Sequence, residues 1–147
     1  MITEEFITLN LISWLKTDGW EIISFDFPQS GTGTLLHPKL SDEKNLETII
    51  PDILARKGDN GLLFENKDRF YFKDFEKIKL IKNTDIYLNS LKIAFSGSLP
   101  KFMSFGVGVP NQSIILKKCL ENKDYIDFIA GVDSNGTCSY IFQGKYG

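Results

Sequence analysis

Three charged residues stand where charge is expensive. In the stretch IIPDILARKGDNGLLFENK, residues 49–67, Asp52 and Glu65 each sit inside an apolar run, and Lys67 follows two residues after Glu65. Lys57-Gly58-Asp59-Asn60-Gly61 between the runs is strong turn chemistry, so the stretch reads as a β-hairpin with strands over 48–56 and 61–67. Side chains alternate along a strand, which puts Glu65 and Lys67 on one face. A turn centred between Gly58 and Asp59 places Asp52 opposite Glu65; a shift of one residue places it opposite Lys67. A bulge would change that parity. Two carboxylates so close repel unless a positive charge lies between them. A few hard oxygen ligands suit Mg²⁺, with Mn²⁺ as a substitute, and an ammonium beside a metal-bound water can orient it, help deprotonate it or steady charge on a phosphate. Those are the parts of a metal-assisted phosphodiester hydrolysis.

The elements that must hold these groups follow from periodicity. Residues 3–17 predict a helix, with Ile7, Leu11, Trp14 and Leu15 on one stripe, Thr3 as N-cap, Glu4 and Glu5 at the positive end, and Asp18-Gly19 at the stop. WEIISFDF (20–27) predicts a strand ended by Pro28. QSGTGTLLHPKLSDEKN (29–45) is a long polar, Gly-rich loop. Helices are expected over 71–82, with Tyr71, Phe75 and Ile78 on one face, and over 85–95. FMSFGVGV (102–109) predicts a buried strand whose glycines allow close packing. Residues 113–122 fit a short helix or a strand. Tyr125–Val132 and Thr137–Phe142 flank Ser134-Asn135-Gly136, a hairpin signal. The expectation is an α/β chain, a mixed sheet flanked by helices, ending in a helix and a hairpin.

Composition narrows the setting. At 147 residues the chain is read as a single domain, 1–147, large enough for a core without staples. No apolar run reaches the ~18 residues that span a bilayer, so no membrane partner is expected. MITEEF puts acids where a signal peptide carries bases, and Cys119 and Cys138 make neither a disulfide framework nor a zinc site; a cytoplasmic location is expected. Net charge is −2. Residues 67–101 nevertheless hold eight bases against four acids, which either form a solvated face or meet a polyanion. Fifteen of the seventeen bases are Lys, which weakens the case for arginine-based reading of guanine.

Pro51-Asp52, twelve intervening residues, then Glu65-Asn66-Lys67 resembles the signature of the PD-(D/E)xK nuclease superfamily, which includes restriction endonucleases, Holliday-junction resolvases and repair nucleases. The expected element order over residues 3–109 is similar to that family's restriction-endonuclease-like core, αβββαβ, with 110–147 as an extension that completes the sheet or the recognition surface. The resemblance implies Asp52 and Glu65 as metal ligands, the backbone carbonyl of Asn66 as a third, and Lys67 as the catalytic lysine. Many members add an acid from the first helix, here Glu5 or Glu4, although both also suit a helix start. It implies a Mg²⁺-dependent endonuclease acting on double-stranded DNA, most simply as a homodimer on a palindromic site. A type II restriction-like enzyme comes first; a Holliday-junction resolvase, usually more basic than this chain, comes second. A catalytically silent nucleic-acid-binding module of the same fold, or a protein-interaction domain, stands as the non-enzymatic alternative.

Weaker signals surround this hairpin. Ser30, Thr32, Thr34, His37 and Lys39 lie on the loop before it, where they could reach phosphates or base edges, or be merely solvated. Arg69 and Lys73 join them as candidate DNA contacts. The loop lacks the GxxxxGK[ST] spacing of a phosphate loop. His37, the lone histidine, has no nucleophile signature near it. The cluster Phe70, Tyr71, Phe72 and Phe75 reads as core before it reads as a base-stacking platform.

Overall fold

The computed structural model describes residues 1–39 and 47–144. Residues 40–45 of the Gly-rich stretch lie outside the described residues. Helix α1 (Glu4–Thr17) leads into β1 (Glu21–Phe25), β2 (Ile53–Lys57) and β3 (Asn60–Asn66). Then come α2 (Phe72–Asn83), α3 (Leu88–Ala94), β4 (Phe102–Pro110), α4 (Ser113–Glu121), β5 (Phe128–Val132) and β6 (Cys138–Gln143). The six strands form one mixed sheet in chain order. β1–β2, β2–β3 and β5–β6 pair antiparallel; β3–β4 and β4–β5 pair parallel.

Alternation along the strands divides the core in two. Ile53, Ala55, Leu62, Phe64, Phe128 and Ala130 face Ile7, Leu11 and Leu15 of α1. Leu54, Leu63, Val107 and Ile129 face Phe75 and Ile78 of α2, Leu91 of α3 and Cys119 of α4. Both parallel connections step the same way across the sheet. Right-handed crossovers therefore bring α2, α3 and α4 to one face and leave the other to α1. α1 starts where the Thr3 hydroxyl accepts the Phe6 N–H at 3.0 Å. It stops at Asp18, before Gly19 at φ +90°.

The hairpin forms as its turn residues require. Lys57 pairs with Asn60, leaving a two-residue turn with Gly58 at φ +59°, a conformation L side chains rarely adopt. Ile53 pairs with Phe64, the register of a turn centred between Gly58 and Asp59. The first strand is shorter than its hydrophobicity suggests, beginning at Ile53 rather than residue 48. Pro51 has no N–H to give a ladder, and Ile49 turns away to bridge Leu36. The ambiguous stretch 113–122 is helical, as α4. The glycines of β4 do permit close packing. A Cβ on Gly106 would strike Phe128, and one on Gly108 would strike Asn66 and Leu11. Among the described residues, no helix is long and apolar enough to cross a membrane.

Candidate active site

The charged residues of the hairpin gather at the carboxyl ends of the parallel strands β3 and β4, the end at which open α/β sheets bind ligands. β3 carries Glu65 and Asn66 in its last two positions, and the Lys67 N–H continues the ladder to the Gly108 carbonyl at 3.0 Å. Alternation sends Asn66 toward α1, where its amide donates to the Thr8 hydroxyl at 3.0 Å. Glu65 points to the opposite face, toward α2. It is 5 % exposed, its Oε2 lies 3.8 Å from the Lys77 ammonium, and its Oε1 has no hydrogen-bond partner.

Asp52 stands just before β2, not opposite Glu65 on a strand face. Its N–H donates to the Phe64 carbonyl (3.0 Å), one step off the ladder's register, and its carbonyl accepts from Asp26 (2.9 Å). Its carboxylate folds over the end of the ladder and accepts the Asn66 N–H at 2.6 Å. Because the N–H and C=O of an extended residue face the same strand edge, the Asn66 carbonyl faces the Asp52 side as well. Asp52 and Asn66 thus meet at the end of the ladder, and Asp52 is near enough to Glu65 to raise its pKa, by a different geometry from the same-face pairing expected of a regular hairpin.

Lys67 lies 3.5 Å from Glu4 and its ammonium sits 4.8 Å over the Tyr71 ring. Glu4 is therefore the α1 acid that reaches the cluster; Glu5, named beside it, is exposed. From α2 come two residues that the hairpin motif does not contain. Asp74 is buried, and Lys77 lies 3.9 Å from it. The signal for Asp74 was present: positions 71, 74, 75 and 78 form one inward helical stripe, and an acid stands in it.

The electrostatics are those of acids crowded away from water. Burial pushes Asp52 up to about 7 against the stabilising Asn66 N–H, and the neighbouring Glu4, Asp74 and Asp26 add to the rise. Burial and Asp52 raise Glu65 well above the carboxylate range, while Lys77 and Lys67 oppose the rise. Burial raises Asp74 too, despite Lys67 and Lys77. Burial works against the Lys67 ammonium, but Asp74, Glu4 and Asp52 outweigh it and hold its pKa above the ordinary lysine value. Beyond burial, the crowding of Asp52, Glu65, Asp74 and Glu4 adds to these shifts, and a divalent cation would relieve that crowding as a proton does. No three His, Cys, Asp or Glu side chains among the described residues already form a metal cage. Two carboxylates and the Asn66 backbone carbonyl could serve Mg²⁺, an ion that keeps several waters.

The remaining predicted contacts are spread out. The Ser30 hydroxyl donates to Asp26 at 3.0 Å and so adjoins Asp52's neighbour, while Thr32 donates to the Phe25 carbonyl at 2.7 Å. Thr34 lines a shallow hollow along β1. His37 and Lys39 run toward α3, with backbone N–H groups bonded to the Ser90 hydroxyl (2.9 Å) and the Ile86 carbonyl (2.7 Å). Arg69 is exposed, 3.1 Å from Asp68 and 5.6 Å over Tyr71. Lys73 is exposed on the wall of a cleft of about 630 Å³ between α2 and residues 47–49, which Asp74 and Lys77 also line. A slightly larger hollow, about 670 Å³, lies around the β2–β3 turn with Trp20, Phe102 and Tyr140, at the pole opposite the carboxylates. Of the aromatic cluster, Phe75 is buried core, Phe70 packs beside it, and Tyr71 stands under the two cations.

Comparison with family models, with curated proteins and with solved structures gives no match to this chain.

Proposed function

We propose that this chain is a Mg²⁺-dependent endonuclease of the PD-(D/E)xK kind that hydrolyses phosphodiester bonds of double-stranded DNA, with a type II restriction-like activity as the first expectation. The observation that carries the reading is the buried Glu65 carboxylate, with one oxygen unpartnered, beside an Asp52 held on the Asn66 N–H and a Lys67 kept protonated. The order of helix, three antiparallel strands, helices and a parallel strand supports it.

Asp52, Glu65 and the Asn66 carbonyl would hold the cation, which would polarise a water and neutralise charge on the phosphate. Asn66 fixes Asp52 through its N–H. Glu4 and the Tyr71 ring hold the Lys67 ammonium at the mouth of the cluster. As an ammonium, Lys67 donates hydrogen bonds to the attacking water or to a phosphate oxygen. It thereby stabilises negative charge as it develops. The water's oxygen bonds to phosphorus as the ester P–O bond on the opposite side breaks; the water gives up a proton to solvent and the departing oxygen takes one from solvent. To cut both strands of a palindromic site, two copies of the chain would act together.

The test is incubation with unmodified phage and plasmid DNA, with and without Mg²⁺ or Mn²⁺. Discrete metal-dependent fragments are expected. Asp52→Ala and Glu65→Ala should abolish them, and Lys67→Met should slow cutting by roughly 10²–10³-fold. Cutting confined to branched DNA would make the chain a structure-selective nuclease. No cutting of any DNA with either metal, or full activity in Asp52→Ala, would sink the enzymatic reading.

A further inference from the structure

Among the described residues, Lys77 is the lysine that reaches Glu65 from outside the hairpin motif, and its position is unusual. Its ammonium sits 3.8 Å from Glu65 and 3.9 Å from Asp74, two carboxylates that are both nearly fully buried. It opposes the proton affinity of both. Neither contact is a hydrogen bond, and the other Glu65 oxygen is unpartnered. The Lys77 side chain is 33 % exposed and lines the cleft shared with Glu47, Tyr71, Lys73 and Tyr87. One end of this side chain's reach is thus a buried carboxylate and the other is an open cleft wall bearing a second lysine.

We propose that Lys77 is an exchangeable counter-ion: it neutralises Glu65 while no divalent cation is bound, and it turns into the cleft to meet a DNA phosphate when one is. The inference rests on the metal site proposed above. A lysine stem is long and flexible, its ammonium is a point charge that needs no fixed geometry, and 3.8 Å is a contact it can leave. Two positive charges cannot share Glu65 without repulsion, so a cation at Asp52 and Glu65 weakens Lys77's hold there. The vacated ammonium then adds to Lys73 along α2. Metal loading and DNA affinity become coupled, and linkage makes the coupling reciprocal.

The test uses the whole chain and two titrations. Mg²⁺ alone is titrated calorimetrically into wild type and Lys77→Met. A short duplex is then titrated with and without Ca²⁺, chosen to occupy the site without cutting. Lys77→Met should bind Mg²⁺ roughly tenfold more tightly, because its competitor is gone. Ca²⁺ should strengthen duplex binding severalfold more in wild type than in the variant. If folded Lys77→Met binds Mg²⁺ equally or less tightly, or if Ca²⁺ strengthens duplex binding equally in both, the exchange is wrong and Lys77 is a fixed strut. Should Lys77→Met fail to fold by circular dichroism, Lys77→Gln carries the same comparison. Wild type that binds no divalent cation would overturn the metal site itself, a different failure.

Discussion

Asp52 and Glu65 carry a cost that only a cation or a proton removes. An exposed aspartate ionises near 3.8, whereas burial pushes Asp52 up to about 7 in the folded chain. Between those two values the folded state holds the extra proton, so stability falls as pH rises through the window, and the cost is fully present above about 7. Glu65 shifts in the same direction. Lys67 does not interfere in this range: its raised pKa contributes stability that is present below the ordinary lysine value and lost only at more alkaline pH. Urea unfolding from pH 5 to 8 should therefore show the metal-free protein losing roughly 1–3 kcal/mol from this cluster. Asp52→Asn should flatten the profile, and added Mg²⁺ should stabilise wild type more at pH 8 than at pH 5. A wild-type profile identical to that of Asp52→Asn would show that the carboxylate is better solvated than its position implies.

The elements above these residues were legible wherever a period or a turn spelled them out. The stripe Ile7, Leu11, Leu15 marked α1, the turn residues around Gly58-Asp59 marked the hairpin while leaving two registers open, and the apolar run 102–109 marked β4. The start of β2 was not legible, because Ile49 and Ile50 look like strand until Pro51's missing donor and the bridge to Leu36 draw them off. That single difference moves Asp52 from a strand face to the ladder's end, where it meets the Asn66 N–H. Asp74 and Lys77 escaped the motif because they enter from α2, across a gap that sequence spacing does not measure. Gly108 links the elements to the site: a Cβ there would meet the Asn66 side chain and Leu11. Gly108→Ala should cost about 1–3 kcal/mol through overpacking. On the proposed function it should also reduce cutting beyond the loss of folded protein, because Asn66 anchors Asp52 and would present its carbonyl to the cation. Gly31→Ala, with open space around its Cβ but φ +66°, is the control for backbone strain alone. Equal specific activity in Gly108→Ala and wild type would detach Asn66 from the chemistry.

At the scale of the molecule, a net charge of −2 must still be reconciled with the polyanionic substrate proposed for it. Global charge sets long-range attraction, but contacts within a Debye length of ~10 Å at 0.1 M salt set binding. Arg69, Lys73 and Lys77 all lie on or just before α2; Lys73 and Lys77 line the cleft that Asp74 also lines, and Arg69 stands over Tyr71 at its edge. A duplex seated there would exchange counter-ions for a few side chains rather than for a basic surface. The dependence of log K on log salt should accordingly be shallow, near −0.9 for each phosphate neutralised. Measured in Ca²⁺ by fluorescence anisotropy across a salt series, Arg69→Ala with Lys73→Ala should weaken binding similarly on every sequence and reduce the slope by about two. Ser30→Ala, on the loop beside Asp26, should leave the slope unchanged, since a hydroxyl displaces no counter-ion. If the double variant keeps the wild-type slope, the duplex approaches from another side. The α2 bases are then a solvated face, and the cleft beside Lys77 is no part of the DNA path.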